Sequence, residues 1–184
     1  MLIKIGEFDC TECWDGVYNM LSESLINLVL LFFAYAFLGW CIEVTLKFFQ
    51  FHRFINRGFL AGPWLPIYGT GAALITIVVK GLSPLESSVG TTFVISFVLC
   101  GIVEYMTSFV LEKQFHARWW DYSQKPMNLH GRVWIGNLIL FGLGGILIVE
   151  LFNPLLFRLS GHMSFRLRET LAIVLSCFFA TDYR

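Results

Sequence analysis

Two acidic residues stand inside apolar runs of this sequence, and chemistry is most easily placed there. Glu104 lies within Val89–Leu111 and eight residues before Glu112, about 12 Å deeper along a helix at 1.5 Å per residue. A carboxyl at the centre of a membrane helix costs roughly 2.5–3.5 kcal/mol to insert, so it should face protein or water and have a partner. Ser108, one turn on, shares its face. Such an acid can hold a proton or cation or answer an Arg; equally, it can be a protonated carboxyl bonded to a neighbouring helix. Glu43 sits nearer an interface, with Lys47 four residues on as an expected ion-pair partner and Gly39 and Trp40 ahead of it. Glu150, beside Asn153-Pro154, is expected at an interface and is not a candidate.

Each of these acids precedes an unusual loop. After Glu43 comes Asn56-Arg57-Gly58-Phe59-Leu60-Ala61-Gly62-Pro63-Trp64-Leu65-Pro66-Ile67-Tyr68-Gly69-Thr70-Gly71. Pro63 and Pro66 forbid a regular helix interior before Ile67, and Pro66 suits the first turn of a helix, where a missing N–H does no harm. Irregular backbone at membrane depth is tolerated where protein or a wet cavity covers it, and free N–H groups ahead of a helix can hold an anion. Gly69 and Gly71, like Gly142, Gly144 and Gly145, read most simply as close-packing positions. After Glu104 comes Arg118–Arg132, with three aromatics, three cations, an Asp and an Asn in fifteen positions. Trp and Tyr prefer the membrane boundary, and Arg meets phosphate or carboxylate with paired hydrogen bonds. Pairing of these Glu and Arg residues is the expected way to keep them near lipid.

The elements that must position these groups are helices. Of the 184 residues, 57% are hydrophobic and 14% charged, against roughly 25% charged in soluble domains. The expected fold is all-α: a polytopic helical membrane protein with about five transmembrane helices and structured Gly/Pro-rich and Trp-rich interfacial loops. Residues 1–23 form an acidic N-terminal segment, and residues 24–184 form the transmembrane domain. The spans are expected at about 25–49, 66–79, 89–111, 133–152 and 169–184. With the N-terminus outside, eight Lys and Arg (Lys47, Arg53, Arg57, Lys113, Arg118, Lys125, Arg132, Arg184) fall inside and five (Lys4, Lys80, Arg158, Arg166, Arg168) outside, the orientation that the positive-inside rule favours. Residues 1–23 lack a hydrophobic core behind a basic start, so the first apolar helix is expected to serve as the insertion signal.

Other chemistry is set aside by what the sequence lacks. Net charge is zero, which gives no reason to expect nucleic acid. Cys10 and Cys13 form a CxxC without a second pair to complete a zinc site; a disulfide between them is open if the N-terminus faces outward. Cys41, Cys100 and Cys177 lie in apolar runs and read as small apolar side chains. There is no H-E-x-x-H, no G-x-x-x-x-G-K-[ST] and no nucleophile–base pair. His116 and His130 flank the second loop and read equally well as solvent-facing. No metal and no cofactor is expected, and no catalytic residue is assigned.

Asn56-Arg57-Gly58-Phe59-Leu60 with Gly62-Pro63, Pro66-Ile67-Tyr68-Gly69 and Gly71 resembles a signature of the bacterial Putative ABC-transporter type IV (permease-like) membrane family. Glu104 with Glu112, Trp119-Trp120-Asp121-Tyr122-Ser123, Asn128 and Gly131-Arg132 is similar to its second block, and Gly39-Trp40 with Glu43 to the block before. The resemblance covers roughly residues 30–150. It implies a multi-pass protein of the bacterial cytoplasmic membrane, a permease-like subunit of an ABC-type transporter. Its partners would be the lipid bilayer and an ATPase subunit or further copies of itself. The residues leave two other readings open: a membrane enzyme acting on a lipid or isoprenoid phosphate head group, and a structural or assembly protein. Under any of them the polar cluster at the inner membrane face is expected to comprise Glu43, Asn56, Arg57, Glu104, Glu112, Arg118, Trp119, Trp120, Asp121, Asn128 and Arg132.

Overall fold

The computed structural model describes residues 10–56, 58, 60–82 and 88–182, with side chains from residue 18 onward except Asn19. Arg57, Arg184 and the side chains of Cys10 and Cys13 lie outside the described residues. The order of elements is α1 (Cys10–Phe51), α2 (Pro66–Gly81), α3 (Val89–Phe115), a two-residue antiparallel pair β1 (Asn128–Leu129) and β2 (Val133–Trp134), then α4 (Ile135–Leu147), a π-helical turn (Ile148–Phe152), α5 (Asn153–Gly161) and α6 (Phe165–Asp182). The architecture is all-α apart from that small hairpin.

Among the described residues, three helical stretches are long and apolar enough to cross a bilayer: Met20–Phe51, Val89–Phe115 and Ile135–Gly161, the last running unbroken from α4 through the π turn into α5. Helix α2 is apolar but shorter, Pro66–Gly81; its 16 residues span about 24 Å against roughly 30 Å of hydrocarbon. Helix α6 has 18 residues, but Arg166, Arg168 and Glu169 in its first turns dilute its apolar character. Helix α1, with 42 residues, is about 63 Å long. It passes residue 24 without a break, so the acidic segment from Cys10 onward is continuous with the first apolar stretch.

Local chemistry explains where the helices stop. The Ser88 hydroxyl accepts the Thr91 amide at the start of α3, the usual N-cap arrangement. His52 and His116 take left-handed conformations (φ 52° and 53°) just past α1 and α3, and their amides return to Phe48 O and Glu112 O. Pro66 opens α2 as the sequence leads one to expect. The π turn precedes Pro154, whose missing N–H and ring would otherwise meet the carbonyl of Glu150; widening the ladder there accommodates it.

Contacts fix the arrangement. Helix α3 packs on α4, α1 on α2, α2 on α3, and α1 on α6. Gly142 meets the Phe93 ring and Gly145 meets Ser96, so both glycines let α4 lie close on α3, whereas Gly144 faces open space. Gly69 packs on Phe32 of α1, and Gly39 of α1 receives the ring of Tyr68. Beyond the π turn the rod leaves α3 for the other helices: Leu31, Tyr35 and Ala72 form a buried cluster with Ile148, Leu156 and Phe157 against it. Buried Asn153 accepts the Tyr35 hydroxyl at 2.9 Å and donates to Thr76 Oγ1 at 2.9 Å, tying α5 to α1 and α2.

Two ends of the bundle result. At one, the end of α1, the start of α2, the end of α3, the start of α4 and the end of α6 meet: Asp182 accepts the Gly62 amide at 2.8 Å, and Phe179 packs edge-on against Phe32 and Phe33. At the other, Arg168 of α6 bonds Asn27 at 3.1 Å and Glu23 at 3.4 Å on α1.

Candidate functional site

The first polar end carries nearly all the candidate residues, in three connected parts. The innermost is Glu104. It is 4% exposed, on the face of α3 turned to α4. Its Oε1 accepts Asn137 Nδ2 at 3.1 Å and the Tyr122 hydroxyl at 3.3 Å, and Asn137 Nδ2 also reaches Tyr122 Oη at 2.6 Å. Its Oε2 is buried with no hydrogen-bond partner. No cation pairs with it among the described residues. The expected Glu–Arg pairing therefore does not hold for Glu104: its partners are a neutral amide and a phenol. Burial, with the acids Glu104 and Glu43 nearby, pushes the Tyr122 phenol up to about 12, so Tyr122 remains a donor through neutral pH.

Two turns along α3 the Arg residues find their acid in Glu112. Arg118 Nε donates to Glu112 Oε1 at 2.9 Å and Arg132 Nη2 lies 2.5 Å from Oε2. Arg118 Nη1 stands 3.7 Å from Asp121 Oδ1. The bond from Glu112 raises the Arg118 pKa above the ordinary arginine range. Arg132 also donates to buried Ser108 at 3.3 Å and lies over the rings of Phe109 and Tyr105, at 5.5 and 5.8 Å from the centroids. Two guanidiniums face two carboxylates, so this layer is close to neutral.

The loop between α3 and α4 is built by its own polar side chains. Asp121 accepts both the hydroxyl (2.5 Å) and the amide (2.9 Å) of Ser123, which hold its carboxyl below the ordinary aspartate range. Asn128 donates to Lys125 O at 2.7 Å and accepts the Gly131 amide at 2.8 Å, clamping a turn in which Met127, His130 and Gly131 all have positive φ. The Tyr122 amide bonds Gly131 O and Trp120 Nε1 bonds Arg132 O, closing the loop across itself. Trp119 meets Phe115 edge-on. His130 is exposed and bonds the Tyr105 hydroxyl at 3.0 Å.

The third part comes from α1 and α2. Glu43 Oε1 accepts the Tyr68 hydroxyl at 2.9 Å. The expected Glu43–Lys47 pair is absent, because Lys47 turns to Gln50 at 2.6 Å and to the Phe51 ring; a phenol brought in from α2 displaces the local cation. Asn56 accepts Trp40 Nε1 at 2.9 Å and the Gly58 amide at 3.0 Å, and its amide group reaches the carbonyls of Leu60 and Ala61. It shapes the Gly/Pro loop and does not reach Glu104.

Glu43, Glu104, Glu112, Arg118, Asp121 and Arg132 thus gather at one end, with Trp119, Trp120 and Asn128 in the loop beside them and Asn56 in the neighbouring loop. Sequence reasoning missed Tyr68, Asn137 and, as a partner of Glu104, Tyr122. Asn137 carried a usable signal: an amide two residues into an apolar helix needs a partner as an acid does. Among the described residues no group of three His, Cys, Asp or Glu is placed to hold a metal ion.

A sequence-family profile described as Putative ABC-transporter type IV matches residues 30–184. No match was found among the curated proteins or the solved structures.

Proposed function

Since the chain belongs to the Putative ABC-transporter type IV family, we propose that it is a permease-like membrane subunit whose polar end lines part of a solute path. The observation that carries this reading is Glu104: a buried carboxyl, held by neutral donors and with one oxygen unpartnered, at the junction of α3, α4 and the loop. In lipid such a group is costly and marks ion or substrate pathways more often than packing. In the proposed arrangement five helices cross a bacterial cytoplasmic membrane with the N-terminus outside, α2 completing its crossing with the Gly/Pro loop. Glu43, Asn56, Arg57, Glu104, Glu112, Arg118, Trp119, Trp120, Asp121, Asn128 and Arg132 then lie at the inner face, where an ATPase subunit would dock.

The alternative of a phosphate head-group enzyme draws less support. Arg118 and Arg132 are already paired with Glu112, so a phosphate would have to displace a carboxylate at both.

The test is isolation of the tagged full chain from its native membranes in mild detergent. The proposal expects an ATP-hydrolysing subunit in fixed ratio, with an ATPase rate that changes in Glu104→Gln. Recovery of the chain alone, or only with copies of itself, overturns it.

A further inference from the structure

We propose that Glu104 is a proton-binding site: Oε2 takes up and releases a proton within the bundle while Tyr122 and Asn137 hold Oε1. The inference deepens the reading of the polar end as the working site, but it concerns the carboxyl itself and not the ATPase partner.

The argument starts from two acids on one helix. Glu112 has a guanidinium at each oxygen, Arg118 at Oε1 and Arg132 at Oε2, which favours its ionised form. Glu104 is more deeply buried, and its two donors, the Asn137 amide and the Tyr122 phenol, both go to Oε1. Oε2, equally buried, receives nothing. An ionised carboxylate carries charge on both oxygens, and burial with one of them bare disfavours that form; such groups take up a proton instead. The bare oxygen is where the proton sits. Loss of the proton leaves a carboxylate already bonded twice at Oε1, so the charged form is reachable. The step is a plain ionisation, carboxylic acid to carboxylate plus a proton, and it needs no other reactant.

The surroundings support a proton over a metal cation. Tyr122 from the loop and Asn137 from α4 touch Glu104. On the adjoining helices Tyr68 of α2 bonds Glu43 of α1 at 2.9 Å. Cys100 lies one turn back on α3. Arg132, which bonds Ser108 one turn from Glu104, is engaged there and by Glu112. Calcium or magnesium takes six or more oxygen ligands, and among the described residues no group of three His, Cys, Asp or Glu is placed to hold a metal ion. A proton needs only the one oxygen.

The experiment is infrared spectroscopy of the purified full chain in lipid bilayers across a pH titration, reading the carbonyl stretch of a protonated carboxyl. The expected result is a protonated-carboxyl band that is present at neutral pH and missing in Glu104→Gln. Should Glu104→Gln not yield folded protein, Tyr122→Phe provides the second reading. It removes a donor to the ionised form, and the titration midpoint of the band should move to higher pH by about one unit or more. No protonated-carboxyl band at neutral pH in the wild type overturns the proposal. So does a band unchanged in Glu104→Gln, or a midpoint unmoved in Tyr122→Phe. None of these outcomes depends on whether an ATPase is recovered with the chain, so the two readings can fail separately.

Discussion

Glu104 and Glu112 show how two identical side chains on one helix acquire opposite characters from their neighbours. Their positions could be read from the sequence, since an acid inside an apolar run stands out; their partners could not, because the loop must first fold to deliver Tyr122 and the guanidiniums. Gly131 is central to that delivery. Its φ is 69°, and a Cβ there would run into Ser123 and Asp121 and lie 3.2 Å from Arg118 Nη1. Gly131→Ala should therefore destabilise the protein by about 1–3 kcal/mol, seen as a lower unfolding midpoint in detergent; an unchanged midpoint would show that the turn relaxes freely. Asp121 gives the loop a pH response. Ser123, first by its hydroxyl and then by its amide, together with Arg118, lowers the Asp121 pKa in the folded state. Its contribution is thus fully present above the unfolded value of about 4, and it is lost as pH falls through the lower folded value. Protection of the Ser123 amide, taken relative to its intrinsic exchange rate at each pH, should fall in acid below that point, and Asp121→Asn should show the lower protection already at neutral pH. Equal protection in both proteins at neutral pH would remove the carboxylate from the account.

Among the elements, the α3–α4 contact has a built-in comparison. Gly145 and Gly144 are adjacent, yet an added methyl would strike Ser96 from the first and meet nothing from the second. Gly145→Ala is expected to cost about 1–3 kcal/mol by overpacking, whereas Gly144→Ala should be neutral or stabilise by up to about 1 kcal/mol through helix propensity. Denaturant unfolding of the two variants side by side checks this, and equal effects would mean that the helices are not in close contact there. The sequence marked all three glycines of this run as packing residues; only the phase of the helix separates Gly144 from the others. The same limit hid Asn137, whose amide lies in a run that reads as uniformly apolar until α4 is turned against α3. Helix existence was legible from apolar length for α1, α3 and α4. The π turn was not, although Asn153-Pro154 marked a break, because a widened ladder depends on which carbonyl the proline would strike.

For the whole molecule, the helices run alternately, so the loops at 52–65 and 116–134 share one end and the α5–α6 turn lies at the other. Under the proposed orientation, single cysteines introduced as Arg53→Cys and Gln124→Cys in a cysteine-free chain should react with an impermeant maleimide only in inverted vesicles. His162→Cys should react on intact cells. Labelling of all three from one side would break the five-crossing arrangement, and the reverse pattern would invert it. The rod Ile135–Gly161 that connects the two ends carries a further consequence of its π turn. One residue more than a regular helix needs would turn everything beyond it by about 100°, and the widened turn takes that residue up, so Asn153 reaches Tyr35 and Thr76 while Gly142 and Gly145 stay seated on α3. Removing a single residue between 148 and 152 should restore an unbroken ladder and leave Asn153 and everything beyond it in nearly the same phase, because the widened turn already takes up that residue. That short stretch holds one residue to spare, and the widened turn takes it up so that the groups on either side keep their own neighbours.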